Sequence, residues 1–367
     1  MINSVLVKPS GPDCNLRCNY CFYRQKAGLF GGKHHRMSER VLQELISQCM
    51  DIGVTTFSWQ GGEPALMGLD FFEKVVELEI RCGTPGTTVA NAFQTNGTLL
   101  DGDWARFLAS YNFLVGLSID GPAHLHDYYR KDAAGKGTHR RVMDAARLLR
   151  QHGVEFNILA LVNDVNVKHP NEVWDFFREN EFSFLQFVPC VEPGGKGQPA
   201  PFSITPEEYG EFLVAIFDRW VEDFPNVSVR DFDDLLAHEL GMQPGTCTVS
   251  ERCGSYVVVE HNGDVFACDF FVMARWRLGN VLESHLAEIV RSEKFGEFAA
   301  NKSKYGATCR SCKYVEWCHG GCQKHRVVLG GELSDPSYFC KSYRMFFAHA
   351  LPKIPELAQR LRLMGRA

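Results

Sequence analysis

Three cysteines, Cys14, Cys18 and Cys21, form a C-x3-C-x2-C run directly after a short β-branched stretch. Three thiolates in one short loop can hold three irons of a [4Fe–4S] cluster, which leaves the fourth iron open to bind and activate a small molecule. A structural zinc site would want a fourth ligand close by, and the nearest histidines, His34 and His35, lie 13 or more residues beyond Cys21. Eight further cysteines follow residue 240: Cys247, Cys253, Cys268, Cys309, Cys312, Cys318, Cys322 and Cys340. Eight thiolates suffice for two four-ligand centres, iron–sulfur or zinc, and spacing alone cannot choose the pairing. His319 and His325 lie among them and read as polar loop residues rather than ligands. Asp269 directly follows Cys268 and is flanked by Phe270 and Phe271. Desolvation there would raise the carboxylate's pKa and make it a better base, whereas the plainer reading is an Asp capping a turn. Cys49 and Cys82 read as small buried hydrophobes, and Cys190 as an apolar filler rather than a peptide contact.

The elements that must position these residues alternate. Short β-branched and aromatic runs read as strands at Ser4 to Val7, Thr55 to Trp59, Thr88 to Gln94, Phe113 to Ile119, Glu155 to Leu161 and Phe184 to Val188. Amphipathic stretches between them read as helices: Glu39 to Met50, Phe71 to Arg81, Trp104 to Ser110, Arg140 to His152 and Glu172 to Asn180. Glu207 to Phe224 follows with Pro206 at its start, as helices prefer. Repeated strand–helix units imply a parallel α/β sheet with right-handed crossovers, here a partial (β/α)6 TIM-like barrel. The stretch 225 to 255 reads as irregular. His261-Asn262-Gly263 between two apolar runs predicts a β-hairpin. The cysteine-rich tail from Ala307 to Cys340 is too poor in aliphatic residues to build a core alone, and a last helix is expected over Tyr343 to Met364. The domain reading is therefore 1–225 for the barrel, 226–246 for a linker, 247–345 for the cysteine-rich domain and 346–367 for a C-terminal helix.

Composition narrows the class. The chain has 367 residues, 45% hydrophobic and 23% charged, with a net charge of -5. That balance is globular and argues against nucleic acid as a partner. No apolar run is long enough for a membrane span, and the first residues carry no signal-peptide pattern, so a cytoplasmic location is expected. Fourteen cysteines in a reducing compartment mean metal or redox chemistry.

The C-x3-C-x2-C run, with Tyr20 before its last cysteine, resembles the signature of radical S-adenosylmethionine enzymes. Gln60-Gly61-Gly62-Glu63-Pro64 after the second strand is similar to that family's GGE motif, and the resemblance implies that Gly62 and Glu63 meet the amino group of S-adenosyl-L-methionine. Two glycines there allow close backbone approach, at the strand ends where α/β sheets bind ligands. Gln94-Thr95-Asn96-Gly97 follows the third strand. The resemblance further implies that Ser118 and Arg130 contact the ribose and carboxylate, that Val191 lies against adenine, and that Tyr20 belongs to the same site. The later cysteines resemble the SPASM signature. That likeness implies one auxiliary [4Fe–4S] cluster on Cys247, Cys253, Cys268 and Cys322, and a second on Cys309, Cys312, Cys318 and Cys340. Three [4Fe–4S] clusters follow in all.

Longer matches narrow the resemblance: Cys-Asn-Leu-Arg-Cys-Asn-Tyr-Cys-Phe-Tyr, Trp-Gln-Gly-Gly-Glu-Pro, Val-Gly-Leu-Ser-Ile-Asp-Gly-Pro and Cys-Asp-Phe-Phe-Val. Over about residues 3 to 345 the chain is similar to the anaerobic sulfatase-maturating enzymes. The resemblance implies oxidation of a Cys or Ser in a C/S-x-P-x-R motif to Cα-formylglycine through a 5′-deoxyadenosyl radical, with Asp269 as the base. It implies an unfolded sulfatase polypeptide as substrate, touched by Tyr23, Gln60 and Gln94, and a low-potential electron donor such as flavodoxin or ferredoxin. Neither nucleic acid nor membrane is expected as a partner. A SPASM enzyme that crosslinks a ribosomal peptide is the nearest rival. Such enzymes often carry an extra N-terminal domain, for which little chain precedes Cys14. A zinc-organised scaffold without enzymatic activity is the other.

Overall fold

The computed structural model describes residues 2–365. Among the described residues ten strands occur in chain order: β1 Ser4–Lys8, β2 Thr56–Trp59, β3 Ala90–Thr95, β4 Leu114–Ser118, β5 Phe156–Val162, β6 Phe184–Pro189, β7 Ser228–Val229, β8 Tyr256–Glu260, β9 Asp264–Phe266 and β10 Arg277–Asn280. The chain divides into two compact units, Met1–Ser118 with Tyr129–Phe156 and Gly254–Ala299, and Ile119–Tyr128 with Asn157–Cys253 and Ala300–Ala367.

In the first unit the strand order is β10-β9-β8-β1-β2-β3-β4. Strands β1 to β4 run parallel, with Val5 opposite Phe57 and Val7 opposite Trp59. Parallel neighbours require crossovers, and helices supply them. Helix Glu39–Asp51 starts where the Ser38 side chain accepts from the Val41 amide, and it buries Val41, Leu42, Leu45, Ile46 and Cys49 at helical spacing. Each such aliphatic side chain contributes about 1.5–3 kcal/mol on burial. Helix Leu69–Cys82 buries Phe72, Val75, Val76 and Leu78. Phe72 sits edge-on to Trp59 at 5.6 Å and to Phe93 at 5.1 Å, tying helix to sheet. The predicted hairpin forms, as β8 and β9. It also does what its local sequence does not reveal: β8 pairs in parallel with β1, Ser4 to Tyr256 through Lys8 to Glu260.

One buried group in this layer carries a test. The Glu79 carboxylate accepts from Asn91 at 3.0 Å through one oxygen, while its other oxygen is buried without a partner. Burial pushes its pKa up to about 7 from 4.5, against the lowering effect of the Asn91 bond. The folded state therefore holds a proton that the unfolded state releases, so stability is fully present below pH 4.5 and falls as pH rises toward 7. Glu79→Gln keeps the shape and removes the charge. In thermal melts it should match the parent at about pH 4 and exceed it at pH 8 by up to about 3 kcal/mol. Equal melts at pH 8 would refute this.

In the second unit β5, β6 and β7 pair in parallel. Helix Pro206–Asp223 opens with a full capping box between Thr205 and Glu208. Glycine at position 210 lets helix Cys340–Ala350 approach, since a Cβ there would lie 2.8 Å from the Met345 sulfur. Two expectations need correction. The stretch 225–255 is not irregular throughout: β7 and helix Arg230–Glu239 form inside it, within the interval read as linker. That helix buries Phe232, Leu235 and Leu236 at i, i+3, i+4 spacing, and its first turn carries Asp231 and Asp233, favourable at a helix N-terminus. The final helix is two, Cys340–Ala350 and Ile354–Leu363. Pro352 has no N–H to continue the first, and Pro355 suits the first turn of the second.

Candidate active site

The loop after β1 carries Cys14, Cys18 and Cys21, and the turn after β2 holds it in place. The Gly62 amide donates to the Gly11 carbonyl and the Glu63 amide to the Asp13 carbonyl, both at 2.8 Å. The approach is so close that a Cβ on Gly62 would lie 1.8 Å from the Asp13 oxygen. The glycine thus serves the cysteine loop itself. Asp13 accepts from the His35 amide at 2.9 Å and from Arg36 at 2.7 Å, and His35 Nδ1 lies 2.7 Å from it. Burial opposes its charge, but these partners hold its carboxyl below the usual range. His35 has its other ring nitrogen on the Gly31 carbonyl at 2.9 Å, so both nitrogens are committed and neither is offered to a metal.

Glu63 is buried and reaches across to the end of β3. Its carboxylate accepts from the Thr95 hydroxyl at 2.6 Å, the Asn96 amide at 2.8 Å and the Ala65 amide at 3.1 Å. Burial pushes its pKa up to about 7 despite those three bonds. Asn96 then turns to the cysteine loop: its Nδ2 donates to Asn15 Oδ1 at 2.9 Å and approaches Cys14 Sγ at 3.8 Å, while Asn15 donates to Thr98 at 2.8 Å. The motif after β3 therefore buttresses the first cysteine, a role its sequence does not reveal. Gln94 donates to the Ser118 hydroxyl at 3.1 Å, which joins a residue expected at the peptide to one expected at the cofactor. Tyr20 is buried edge-on against Tyr129 at 5.5 Å, with the Arg130 guanidinium 5.6 Å from its ring. Gln60 is half-buried, and its amide donates to the Val7 carbonyl.

Asp269 follows β9 and meets β1. Its Oδ1 lies 2.6 Å from Lys8 Nζ, close enough for an ion pair although outside aligned hydrogen-bond geometry. Lys8 is 1% exposed, and its ammonium also lies 3.6 Å over the Tyr23 ring. The Tyr23 hydroxyl donates to Glu260, which β8 places opposite Lys8. Burial, then the Glu260 charge, raise the Tyr23 phenol well above its ordinary pKa, so it stays neutral. Asp269 is thus bound to a buried cation and does not cap the turn after Cys268. Lys8 and Glu260 were not singled out from the sequence. The available signal was a lysine ending an otherwise apolar strand, and a glutamate ending another.

In the second unit, Cys309, Cys312, Cys318 and Cys340 line a single cavity of about 440 Å³ with Lys313 and Arg344 at its wall. Cys247, Cys253 and Cys322 are electrostatic neighbours of one another around Lys302. Cys268 belongs to the first unit, its Sγ 3.4 Å from the Tyr256 hydroxyl. Among the described residues no three Cys, His, Asp or Glu side chains converge closely enough for a single metal ion. Four thiols around a roomy cavity suit a polynuclear cluster, which spreads its ligands wider than zinc with its bonds of about 2.3 Å. Val191 is fully buried, and its carbonyl accepts from Lys324. Cys190 is buried with its amide and carbonyl both in backbone bonds, and burial pushes its thiol up to about 12, as suits a filler. His325 corrects an expectation: it lies buried in helix Gln323–Val327, not on a polar loop, because that short helix packs Phe339 against its ring at 5.0 Å.

Comparison with known proteins agrees with this chemistry. Residues 9–177 match the radical SAM superfamily and residues 247–313 the SPASM iron–sulfur cluster-binding domain. A cysteine-type anaerobic sulfatase-maturating enzyme from Clostridium perfringens is 39% identical over 98% of this chain and 99% of its own. A serine-type enzyme from Bacteroides thetaiotaomicron is also 39% identical, over 95% of this chain and 89% of its own. A solved structure described as native anSMEcpe with bound AdoMet and Cp18Cys peptide superposes with a TM-score of 0.91 at 38% identity, over 98% of this chain and 100% of that one. SuiB from Streptococcus suis, bound to its precursor peptide SuiA, shares the fold at a TM-score of 0.67 and 18% identity. With full-length relatives at this identity, the chain belongs to the anaerobic sulfatase-maturating enzymes, radical S-adenosylmethionine enzymes that carry a SPASM iron–sulfur domain.

Proposed function

We propose that this enzyme oxidises the Cys or Ser of a sulfatase C/S-x-P-x-R motif to Cα-formylglycine, with Asp269 as the base. The observation that supports it best is the Asp269–Lys8 ion pair at 2.6 Å. It sets an acceptor-only carboxylate, anchored through one oxygen by a buried cation, on the sheet whose first strand leads into Cys14. Cys14, Cys18 and Cys21 would hold the cluster that binds S-adenosyl-L-methionine, with Tyr20, Gly62, Glu63, Ser118, Arg130 and Val191 around that cofactor. Cys309, Cys312, Cys318 and Cys340 would hold one auxiliary cluster, and Cys247, Cys253, Cys268 and Cys322 the other.

When bound, these groups supply a 5′-deoxyadenosyl radical and an acceptor for one electron. The substrate Cβ gives up a hydrogen atom, the thiol or hydroxyl gives its proton to Asp269, and one further electron leaves. Two electrons and two protons are removed; Ser gives the aldehyde directly, and Cys gives a thioaldehyde that water hydrolyses to the aldehyde with release of hydrogen sulfide. Lys8, 2.6 Å away, fixes the Asp269 carboxylate through its Oδ1. Tyr23 and Glu260 hold Lys8 in place, and Gln60 and Gln94 are the remaining peptide contacts. An unfolded sulfatase segment is the substrate, and flavodoxin or ferredoxin the electron donor, in the reducing cytoplasm. No described helix is long and apolar enough to cross a membrane.

The test uses two peptides, one with Cys-x-Pro-x-Arg and one with Ser-x-Pro-x-Arg, each incubated anaerobically with reconstituted enzyme, reductant and S-adenosyl-L-methionine. Mass spectrometry should find the aldehyde, with 5′-deoxyadenosine formed alongside. Cofactor cleavage without any change in either peptide would move the substrate elsewhere.

A further inference from the structure

Two cations in the second unit are buried where no carboxylate balances them. Lys302 is fully buried and Arg326 is 3% exposed. Burying an unpaired charge is expensive, and such groups are normally paired or neutralised. Burial lowers the Lys302 pKa, but its hydrogen-bond geometry matches the ammonium form. Its Nζ donates to the carbonyls of Thr248 at 2.6 Å, Cys247 at 2.9 Å and Gly321 at 3.1 Å. Three acceptors consume all three hydrogens of an ammonium, and a neutral amine has only two. Arg326 donates to the carbonyls of Gly320 and His319 at 3.0 Å, Leu333 at 3.2 Å and Gly321 at 3.4 Å. The two cations therefore share the Gly321 carbonyl, and they grip the short segment His319–Gly321 between Cys318 and Cys322.

The acidic groups that act on them are thiols, which carry negative charge once they ligate a cluster. Those acting most strongly on Lys302 are Cys253, Cys322 and Cys247, the set read above as ligands of one auxiliary cluster. Those acting on Arg326 are Cys309, Cys322, Cys253 and Cys318, drawn from both sets. The two auxiliary sites are thus electrostatically unequal: one faces the buried Lys302 and Arg326, whereas the other faces Arg326 with Lys313 and Arg344 at its wall, and Lys302 acts on the first. Net charge and hydrogen bonding around a cluster set its reduction potential. One-electron reduction adds one negative charge to the cluster and its thiolates, and a fixed cation beside them stabilises that reduced state.

We propose that Lys302 is a positioning residue that sets the reduction potential of the auxiliary cluster held by Cys247, Cys253 and Cys322, raising it so that this cluster can accept the single electron released in peptide oxidation. The proposal rests on the ligand reading given above. No proton transfer is asked of Lys302.

The test is an EPR-monitored redox titration of the full-length chain carrying Cys14→Ala, Cys18→Ala and Cys21→Ala, in which only auxiliary clusters load. Lys302→Met and Lys302→Gln should lower one of the two midpoints at least tenfold in equilibrium constant, about 59 mV for one electron, and leave the other unmoved. Lys302→Arg should restore it to within twofold. Unchanged potentials at full iron content would overturn the proposal, as would an equal shift of both. Loss of the cluster from both neutral variants, with Arg loading normally, would assign Lys302 to assembly and overturn it too. Failure of the Lys302-containing parent to bind iron would instead sink the ligand assignment.

Discussion

Asp269→Asn is expected to abolish peptide oxidation while iron content, S-adenosyl-L-methionine binding and the fold survive. The amide keeps the carboxylate's shape but cannot take a proton, and removal of a positioned base typically costs about 10²–10⁴-fold. The side chain is 16% exposed at its pair with Lys8, so the loss of one charge is partly screened. Lys8 also keeps its contact with the Tyr23 ring. The informative measurement is the ratio of 5′-deoxyadenosine to oxidised peptide, which should rise as cleavage of the cofactor becomes uncoupled. A variant that oxidises peptide at the native rate would show that the base lies elsewhere. Lys8→Met should slow the same step by a smaller factor, since it removes the buried cation that fixes the Asp269 carboxylate.

Gly62→Ala is the second large effect. The added methyl would lie 1.8 Å from the Asp13 carbonyl oxygen, 2.4 Å from its carbon and 2.9 Å from the Asp13 nitrogen. All three are backbone atoms, so no rotamer change relieves the contact, and either the turn after β2 or the cysteine loop must move. Both bonds that hold them together, Gly62 to Gly11 and Glu63 to Asp13, should be lost. The expected result is a protein that loads its auxiliary clusters and loses the cluster on Cys14, Cys18 and Cys21. Iron per chain should fall by about a third if each of three clusters carries the same iron, and S-adenosyl-L-methionine cleavage should vanish. Gly28→Ala is the control: a Cβ there has no neighbour within 4 Å, and the variant should behave as the parent. Full iron with normal cofactor cleavage in Gly62→Ala would show that the loop tolerates displacement.

The amino-acid sequence alone determined the strands β1 to β6, the five longer helices between them and the hairpin at Asn262-Gly263, because these features rest on local periodicity and turn chemistry, whereas the short helix Ala123–Tyr129 was not read. It also determined which residue types could do chemistry, since thiolates at short spacing and a carboxylate beside one of them declare themselves without a fold. Helix Arg230–Glu239 was legible in principle from Phe232, Leu235 and Leu236, and the break at Pro352 from proline's missing N–H.

What only the tertiary structure decided are contacts across large sequence separations. Lys8 meets Asp269 because β8 pairs with β1, a registration that no local pattern encodes. Glu63 is turned inward onto Thr95 and Asn96 because parallel β2 and β3 bring their ends together. Nothing in the local sequence marks Lys302 and Arg326 for burial. Their burial follows from the carbonyls of the cysteine loops folding around them and accepting from their donors. Local sequence sets backbone propensity and side-chain inventory, whereas the field each charge experiences depends on which distant segments remove its water.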